Sequence, residues 1–356
     1  GTRNFIKNCR DLRRIGDLKM DEKKQTDLNI LNRMKAIPGG LVLIPLILAV
    51  FIATVCPSLY KIGGYVTALF YNGNACMMGF FLIVCGSMID VRQVGMPLYK
   101  GCIMTGIKFI LGVVLGYLVG MIWGDTGIME LTPFVLIAAI TNSNGSLYIS
   151  LSSQYGDASD TGAISILSLN DGPFFTLVAL GATGLANIPF MSLVATMVPL
   201  LIGFIWGNVD KEFRRVCQTS QPIVTFFMTI SIGAKTSVGT ILVAGASGIL
   251  LGFISALTGI LFFFLINMLL PKKERNAMGA AIGTTALNSA MTPAAVAEAD
   301  PAMAPYVPMA TAQCATASVI TLFVCPFLVA FFDNYMRKNR MGIYSAEGWA
   351  HDQVAV

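Results

Sequence analysis

Two clusters of small polar residues interrupt apolar stretches of this sequence and are its clearest candidates for a binding site. One cluster begins at Thr141, directly after an apolar run, and the other begins at Thr284. Their hydroxyl and carboxamide groups donate and accept hydrogen bonds, which suits the recognition of a small polar solute. The side chains that we expect to bind are Asn142, Ser143, Asn144, Thr284, Thr285, Asn288 and Ser289. Interhelical hydrogen bonding is the alternative role for any single Ser or Thr among them.

Both clusters also predict broken helices. Ser, Asn and Thr are poor helix formers, and Gly283 and Pro293 weaken the second segment further. Inside a membrane an unpaired backbone amide is costly, so such a break survives only where it is buried or lines a cavity. Two breaks that cross at mid-membrane depth would present helix N-termini, with their positive dipole ends, to an anion.

Three ionisable residues lie within or beside apolar segments. Asp171 lies in the middle of segment 161–182, too deep for its short side chain to reach a membrane surface. Burial disfavours the charged form of a carboxyl group, so Asp171 is a candidate proton carrier. Glu298 closes a later segment and is the second candidate for coupling. Lys108 stands near the start of its segment, where it either reaches the interface or binds an anion.

The composition places all of these residues in a membrane protein. Of 356 residues, 55% are hydrophobic and 12% are charged, with a mean hydropathy of +0.71 and a net charge of +5. The charged share is about half of the roughly 25% usual for soluble domains, which excludes a soluble enzyme, a nucleic-acid-binding protein and a disordered chain. The eight Cys form no C-x-x-C pair and His351 is the only histidine, so we predict no metal site and no cofactor. The sequence contains no Walker A motif and no hydrolase motif, so we do not predict an enzyme.

We predict an all-α polytopic membrane protein with about ten transmembrane helices. A helix needs about 20 apolar residues to cross about 30 Å of hydrocarbon. The predicted spans are 38–56, 72–89, 101–123, 132–153, 161–182, 189–207, 218–234, 241–269, 277–297 and 304–331. The fourth and ninth spans contain the polar clusters, and a re-entrant arrangement of these two would leave eight full crossings.

The loop charges predict the orientation of the chain. With the N-terminus inside, Lys61 and Lys235 are the only Lys or Arg residues in the outer loops. Because short cytoplasmic loops carry an excess of Lys and Arg, both termini are predicted to be cytoplasmic. The basic segment 1–35 is then a cytoplasmic arm, and 336–356 is a cytoplasmic tail.

A weak internal repeat divides the membrane region. Phe80-Phe81 recurs as Phe226-Phe227, and Ala138-Ala139-Ile140 recurs as Ala280-Ala281-Ile282, each time before similar residues. Chance matching of short apolar strings is the alternative explanation. With five spans in each half, the second half must enter the membrane inverted, so 36–185 and 186–335 are predicted to be two inverted five-helix repeats. Inverted repeats with two broken, crossing helices characterise secondary transporters with a site at the midplane.

Several strings in this order resemble the 2-keto-3-deoxygluconate permease family. They are Lys35-Ala-Ile-Pro-Gly-Gly40, Thr141-Asn-Ser-Asn-Gly-Ser-Leu-Tyr148, Gln154-Tyr-Gly156, Ser168-Leu-Asn-Asp-Gly-Pro173 and Gly207-Asn-Val-Asp210, with Lys108 at the position of a third-span lysine. The resemblance covers about residues 35–335. One departure is that the family has an acidic residue where this chain has Asn170, and the acid stands one place later at Asp171. Adjacent residues of a helix point about 100° apart, so the carboxyl group of Asp171 would point in another direction than the family's acidic residue, and the identity of the coupling residue is open.

The resemblance implies proton-coupled uptake of 2-keto-3-deoxygluconate, or a similar sugar acid, across a bacterial inner membrane. It also implies a panel domain and a core domain that contains the two crossing helices. Lys108 and the helix N-termini would take the substrate carboxylate. The polar clusters and Asn170 would take its hydroxyl groups.

Other functions remain open at this point. A sodium-coupled or exchange transporter of another small organic anion fits the same residues, since Asp171 and nearby oxygens suit Na⁺ as well as H⁺. A channel would show a continuous polar stripe along several helices, whereas polarity here is confined to two clusters and one Asp. The expected partners are the lipid bilayer, the substrate and the coupling ion, with no nucleic acid; a homodimer is left open.

Overall fold

The computed structural model describes residues 29–36, 40–90, 92, 95–235 and 238–345, and all elements in these ranges are helical apart from an isolated bridge between Ile128 and Leu131. Contacts divide the chain into two units, Gly1–Ile37 and Pro38–Val356. The described part of the first unit contains one helix, α1 (Ile30–Ala36). Most of the predicted basic arm, and the end of the tail with His351, lie outside the described residues.

The second unit contains fifteen further α-helices in its described ranges. They are α2 (Gly40–Val55), α3 (Gly64–Val66), α4 (Asn74–Met88), α5 (Met96–Trp123), α6 (Pro133–Ile140), α7 (Gly145–Tyr155), α8 (Ala158–Gly162), α9 (Ile164–Leu167), α10 (Phe174–Thr183), α11 (Phe190–Val209), α12 (Lys211–Gly233), α13 (Val238–Leu269), α14 (Met278–Ala281), α15 (Thr292–Ala299) and α16 (Val307–Lys338). Short 3₁₀ turns at Ser168–Asp171 and Leu287–Ala290 belong to the candidate site.

Local sequence signals set the ends of these helices. Asp210 caps α12, because its Oδ1 accepts from the backbone N–H groups of Glu212 and Phe213 at 2.8 and 3.2 Å. Thr132 caps α6, and Pro133 occupies the first position of that helix, where its missing N–H costs nothing. Gly184 ends α10 with φ +71°, a left-handed conformation that favours glycine.

Several helices are long and apolar enough to cross a membrane. Among the described residues four single helical stretches meet this condition: Met96–Trp123, Phe190–Val209, Ala244–Leu269 and Pro301–Tyr344. Two pairs bent by 58°, Gly64–Tyr71 with Asn74–Met88 and Ala158–Asn170 with Phe174–Thr183, raise the number to six. The prediction of an all-α chain with several apolar helices is thus confirmed. Every predicted span is largely helical where described, but ten crossings and inverted repeats stay predictions.

Small residues allow the helices around the candidate site to pack closely. A Cβ on Gly86 of α4 would collide with the Leu200 carbonyl of α11, and one on Gly203 would collide with the Ile83 carbonyl of α4. Further along, Gly259 of α13 packs against Gly283, at the second polar cluster. Close backbone approach through small residues is the usual way in which helices associate in membranes.

The helix before the first cluster lies in the protein interior. All eight residues of α6 are buried, and the helix packs against α5 and α16. A helix that is apolar on all sides belongs inside a bundle. The first polar cluster therefore starts from a helix end surrounded by protein.

Candidate functional site

The two broken segments meet. The helical ladder is interrupted at 141–144, between α6 and α7, and again at 282–286, after α14. The backbone N–H of Asn144 donates to Thr284 Oγ1 at 3.0 Å, so the two interruptions are in direct contact. The first break lies at the predicted residues. The second begins slightly earlier than predicted.

Polar side chains of the first cluster satisfy the helix ends around them. Asn144 Oδ1 accepts from the backbone N–H of Leu147 at 3.0 Å and so caps α7. Thr141 Oγ1 hydrogen-bonds with Thr176 Oγ1 at 2.9 Å, and Asn142 Nδ2 donates to a carbonyl of α6 at 2.8 Å. Each residue thus has a structural contact. Among the buried side-chain atoms that the structure describes in this cluster, one has no hydrogen-bond partner.

That atom is the amide oxygen of Asn142, and it has a counterpart in Asn170. Asn142 and Asn170 are 1% and 2% exposed, and within the described part of the chain Oδ1 of each has no hydrogen-bond partner. Asn170 Nδ2 donates to Ser143 Oγ at 3.3 Å, so Ser143 links the Asn170 side chain to the break. A buried acceptor without a partner costs about 1–3 kcal/mol. Two such acceptors beside one break mark a place that a donor or a cation would stabilise.

Lys108 occupies the second break. Its side chain is fully buried, and Nζ donates to the carbonyls of Ile282 at 2.5 Å and Thr284 at 2.9 Å. Nζ also lies 5.4 Å from the centroid of the Phe262 ring. These two carbonyls lie just after α14, where a cation satisfies backbone acceptors that the helix leaves unpaired. Lys108 therefore does not extend to a membrane surface. Its described hydrogen bonds use two of its three N–H donors.

Other polar residues of the second cluster form hydrogen bonds with groups of the protein itself. Thr285 donates from its backbone N–H to Thr321 Oγ1 at 3.2 Å and from Oγ1 to Ser255 Oγ at 2.8 Å. Ser289 Oγ donates to a nearby carbonyl at 2.6 Å, and Cys325 Sγ donates to the Gly283 carbonyl at 3.2 Å. Asn288, in the 3₁₀ turn, is half-buried.

The structure links some of the predicted site residues and separates others. Hydrogen bonds join Asn170 to Ser143, Asn144 to Thr284, and Lys108 to the carbonyl of Thr284. The backbone of Asp171 ends the 3₁₀ turn after Asn170, and its side chain lies outside what the structure describes. Glu298 is exposed on α15 and lines two cavities that include none of these linked residues.

Sequence reasoning missed a buried ionic cluster. Lys100 Nζ lies 3.1 Å from Asp157 Oδ2, 3.1 Å from Asp160 Oδ2 and 3.5 Å from Glu274 Oε2, and the lysine is fully buried. Asn276 Nδ2 donates to Asp160 Oδ2 at 2.5 Å. Lys100 lies just before the predicted span 101–123, but α5 begins at Met96 and includes it among its buried residues. The Asp157–Asp160 spacing, which forms a capping box, was the available signal.

Comparison with known proteins gives consistent matches along most of the chain. The family of 2-keto-3-deoxygluconate permeases matches over residues 31–338. The 2-keto-3-deoxygluconate permease 1 of Salmonella typhimurium is 39% identical over 304 residues, which cover 85% of this chain and 95% of the relative. The 2-keto-3-deoxygluconate permease of Bacillus subtilis is 30% identical over 312 residues, which cover 86% and 94%. The permease of that name from Xanthomonas oryzae is 32% identical over 304 residues, which cover 83% and 95%.

Proposed function

We propose a function for this chain from two facts: the chain belongs to the 2-keto-3-deoxygluconate permease family, and its two broken helical segments meet at a cluster of polar side chains. It is a multi-pass membrane permease and no enzyme. Its proposed substrate is 2-keto-3-deoxygluconate or a similar sugar acid. The proposed transport is uptake across a bacterial inner membrane by proton symport.

One observation carries the proposed site. Oδ1 of Asn142 and of Asn170 are buried acceptors without a partner among the described residues, and Ser143 lies beside both. Hydroxyl groups of a sugar acid are donors that would satisfy them. The gain would be largest in this buried place, because an unmade hydrogen bond costs more there than one exposed to water.

The substrate carboxylate has two proposed partners beside these acceptors. The N-terminus of α7, at Gly145, presents backbone N–H groups and a positive dipole end. Lys108 has an N–H donor beyond the two that bind carbonyls. Asn144 and Thr284 connect these groups, and we include Thr285, Asn288 and Ser289 as the second wall of the site.

The proposed architecture has ten spans in two inverted repeats, 36–185 and 186–335, with both termini cytoplasmic. Support comes from the helical state of the predicted spans and from the two interruptions at corresponding places in the halves. Alternating access would then move the core, with its crossing segments, against the panel.

For coupling we propose Asp171 as the proton carrier, with Glu298 as the second candidate. Asp171 follows Asn170, whose side chain reaches the first break. Sodium coupling is the second candidate mechanism, and the same orphan oxygens favour it. Carboxamide and hydroxyl oxygens are the kind of ligand that hard cations take.

The test is uptake of labelled 2-keto-3-deoxygluconate into proteoliposomes, with H⁺ and Na⁺ gradients imposed separately. Accumulation driven by the H⁺ gradient alone supports proton symport, and accumulation driven by Na⁺ alone supports the second mechanism. Empty liposomes and unlabelled competitor are the controls. Labelled substrate that enters without competition and without dependence on either gradient would overturn the symporter proposal.

A further inference from the structure

Two neighbouring cavities share two wall residues, Asn74 and Glu298, and their walls include none of the residues at the two breaks, 141–144 and 282–286. The larger has a volume of about 320 Å³ and is also lined by Ser231 and Lys235. The smaller has a volume of about 200 Å³ and is also lined by Ser192 and Thr196. Sites for small molecules usually measure about 300–1,000 Å³. The larger cavity is therefore big enough for a small solute. We call the two together the vestibule.

The vestibule has a cation and an anion that do not pair with each other. Lys235 and Glu298 line the larger cavity, yet they are not among the ion pairs of the described residues. Lys235 Nζ lies 5.0 Å from the ring centroid of Tyr71, and Lys61 Nζ lies 5.6 Å from the same centroid. Attraction between an ammonium group and an aromatic ring holds both cations near Tyr71. An anion in the larger cavity therefore meets the positive charge of Lys235.

Asn74 adds an orphan acceptor to the same wall. It is the first residue of α4 and only 8% exposed, and its Oδ1 has no hydrogen-bond partner among the described residues. Glu298 and Asn74 are thus an acceptor pair that both cavities share. Such a pair suits a ligand with several hydroxyl donors. A carboxylate accepts strong hydrogen bonds from hydroxyl groups, which are charge-assisted.

We propose that the vestibule is a second binding subsite, in which a sugar acid places its carboxylate on Lys235 and its hydroxyl groups on Glu298 and Asn74. This inference rests on the proposed function and adds a step to it. The substrate binds first at the vestibule and then moves past α15 to the broken helices. The arrangement selects a monocarboxylate polyol. A neutral sugar lacks the Lys235 contact, and a second carboxylate would be repelled by Glu298.

The experiment measures initial uptake rates in proteoliposomes that contain the full chain, with labelled 2-keto-3-deoxygluconate outside. Lys235→Gln and Glu298→Gln are compared with wild type and with the charge-matched surface variants Lys211→Gln and Glu212→Gln. We expect each vestibule variant to raise KM about five- to tenfold, since each removes one charge-assisted hydrogen bond at a partly exposed site. The maximal rate of Lys235→Gln should stay within about twofold, because the broken-helix site is intact. Lys235→Arg should restore most of the affinity.

Competition separates the two roles in the vestibule. In wild type, gluconate should compete better than glucose; Lys235→Gln should reduce this preference, and Glu298→Gln should weaken both competitors alike. Unchanged KM and unchanged preference in both variants would overturn the subsite while leaving the transporter proposal standing. Loss of accumulation with normal KM in Glu298→Gln would also overturn it, because Glu298 would then act in coupling. If wild type takes up no sugar acid, the proposed function fails and the subsite fails with it.

Discussion

Replacing Lys108 by Met should destabilise the protein as well as impair transport. The substitution shortens the unbranched side chain by one atom and removes two hydrogen bonds, to the carbonyls of Ile282 at 2.5 Å and Thr284 at 2.9 Å. Both carbonyls lie in the break after α14, inside the protein, where Lys108 is 0% exposed. Water therefore cannot replace the ammonium group without a rearrangement of the break.

The magnitude follows from these contacts. A hydrogen bond to a charged group contributes about 1.5–3 kcal/mol, so the loss of two would cost about 3–6 kcal/mol. Part of this loss of stability is offset, because the burial of the lysine charge is itself unfavourable. We expect a net loss of about 2–4 kcal/mol, which corresponds to a fall in unfolding temperature of roughly 3–6 °C for a chain of this size.

The assay is thermal unfolding of the purified protein in detergent, followed by uptake measurements on the same preparation. Lys211→Met, at an exposed lysine that begins α12, is the matched control and should unfold like wild type. A Lys108→Met protein with a normal unfolding temperature and a raised KM alone would refute this reasoning. Lys108 would then act on the substrate without holding the break.

Four further predictions follow from other parts of the molecule. Asp171→Asn should abolish accumulation of substrate against a gradient and leave downhill exchange largely intact; normal accumulation would move coupling elsewhere. Asn170→Leu should unfold at the same or a higher temperature than wild type, because it removes an orphan acceptor, while KM rises at least about tenfold; a stability loss without a change in KM would contradict this. Lys100→Met should lower the free energy of unfolding by about 3–5 kcal/mol, because three carboxylates lose their cation. Asp160→Asn in the same chain should restore part of this stability. The hydrogen bond from the Arg92 backbone N–H, helped by Arg214, lowers the pKa of Asp90. The small stabilisation by the charged Asp90 should therefore be present above about pH 4 and be lost as the pH falls further. In Asp90→Asn the stability should fall less over this pH range.

The helical elements could be predicted because their signals are local. Long apolar runs, a Pro at the start of α6 and polar clusters in mid-segment each act within a few residues, and the breaks appear where those clusters stand. The contact between the breaks could be predicted only in outline. Which atom of Asn144 would meet Thr284 depends on how two segments about 140 residues apart pack, and no local pattern specifies that.

The roles of the two buried lysines, Lys108 and Lys100, could not be predicted from local sequence patterns. Its sequence position predicts two candidate roles for Lys108, at the interface or on an anion, and the structure adds a third, on the carbonyls of the second break. Lys100 directly precedes the predicted span 101–123, so the apolar pattern leaves it outside the membrane. Its partners Asp160 and Glu274 come from distant parts of the chain. Charge counting places such residues near a membrane surface, but only three-dimensional packing brings them together.

The two polar clusters look alike in sequence, yet they differ in how many of their buried polar atoms have hydrogen-bond partners. Among the described residues no buried side-chain nitrogen or oxygen between 282 and 290 lacks a partner, because Lys108, Ser255 and Thr321 come from other helices to bond this break. At the first break two acceptors are left, on Asn142 and Asn170. A buried acceptor without a partner needs an explanation, and a ligand that removes the cost is one, since both acceptors could otherwise be replaced by apolar groups with little loss. We therefore propose that the second break is the fixed wall, whose Thr284 accepts from the backbone N–H of Asn144, and that the ligand binds on the side of the first break.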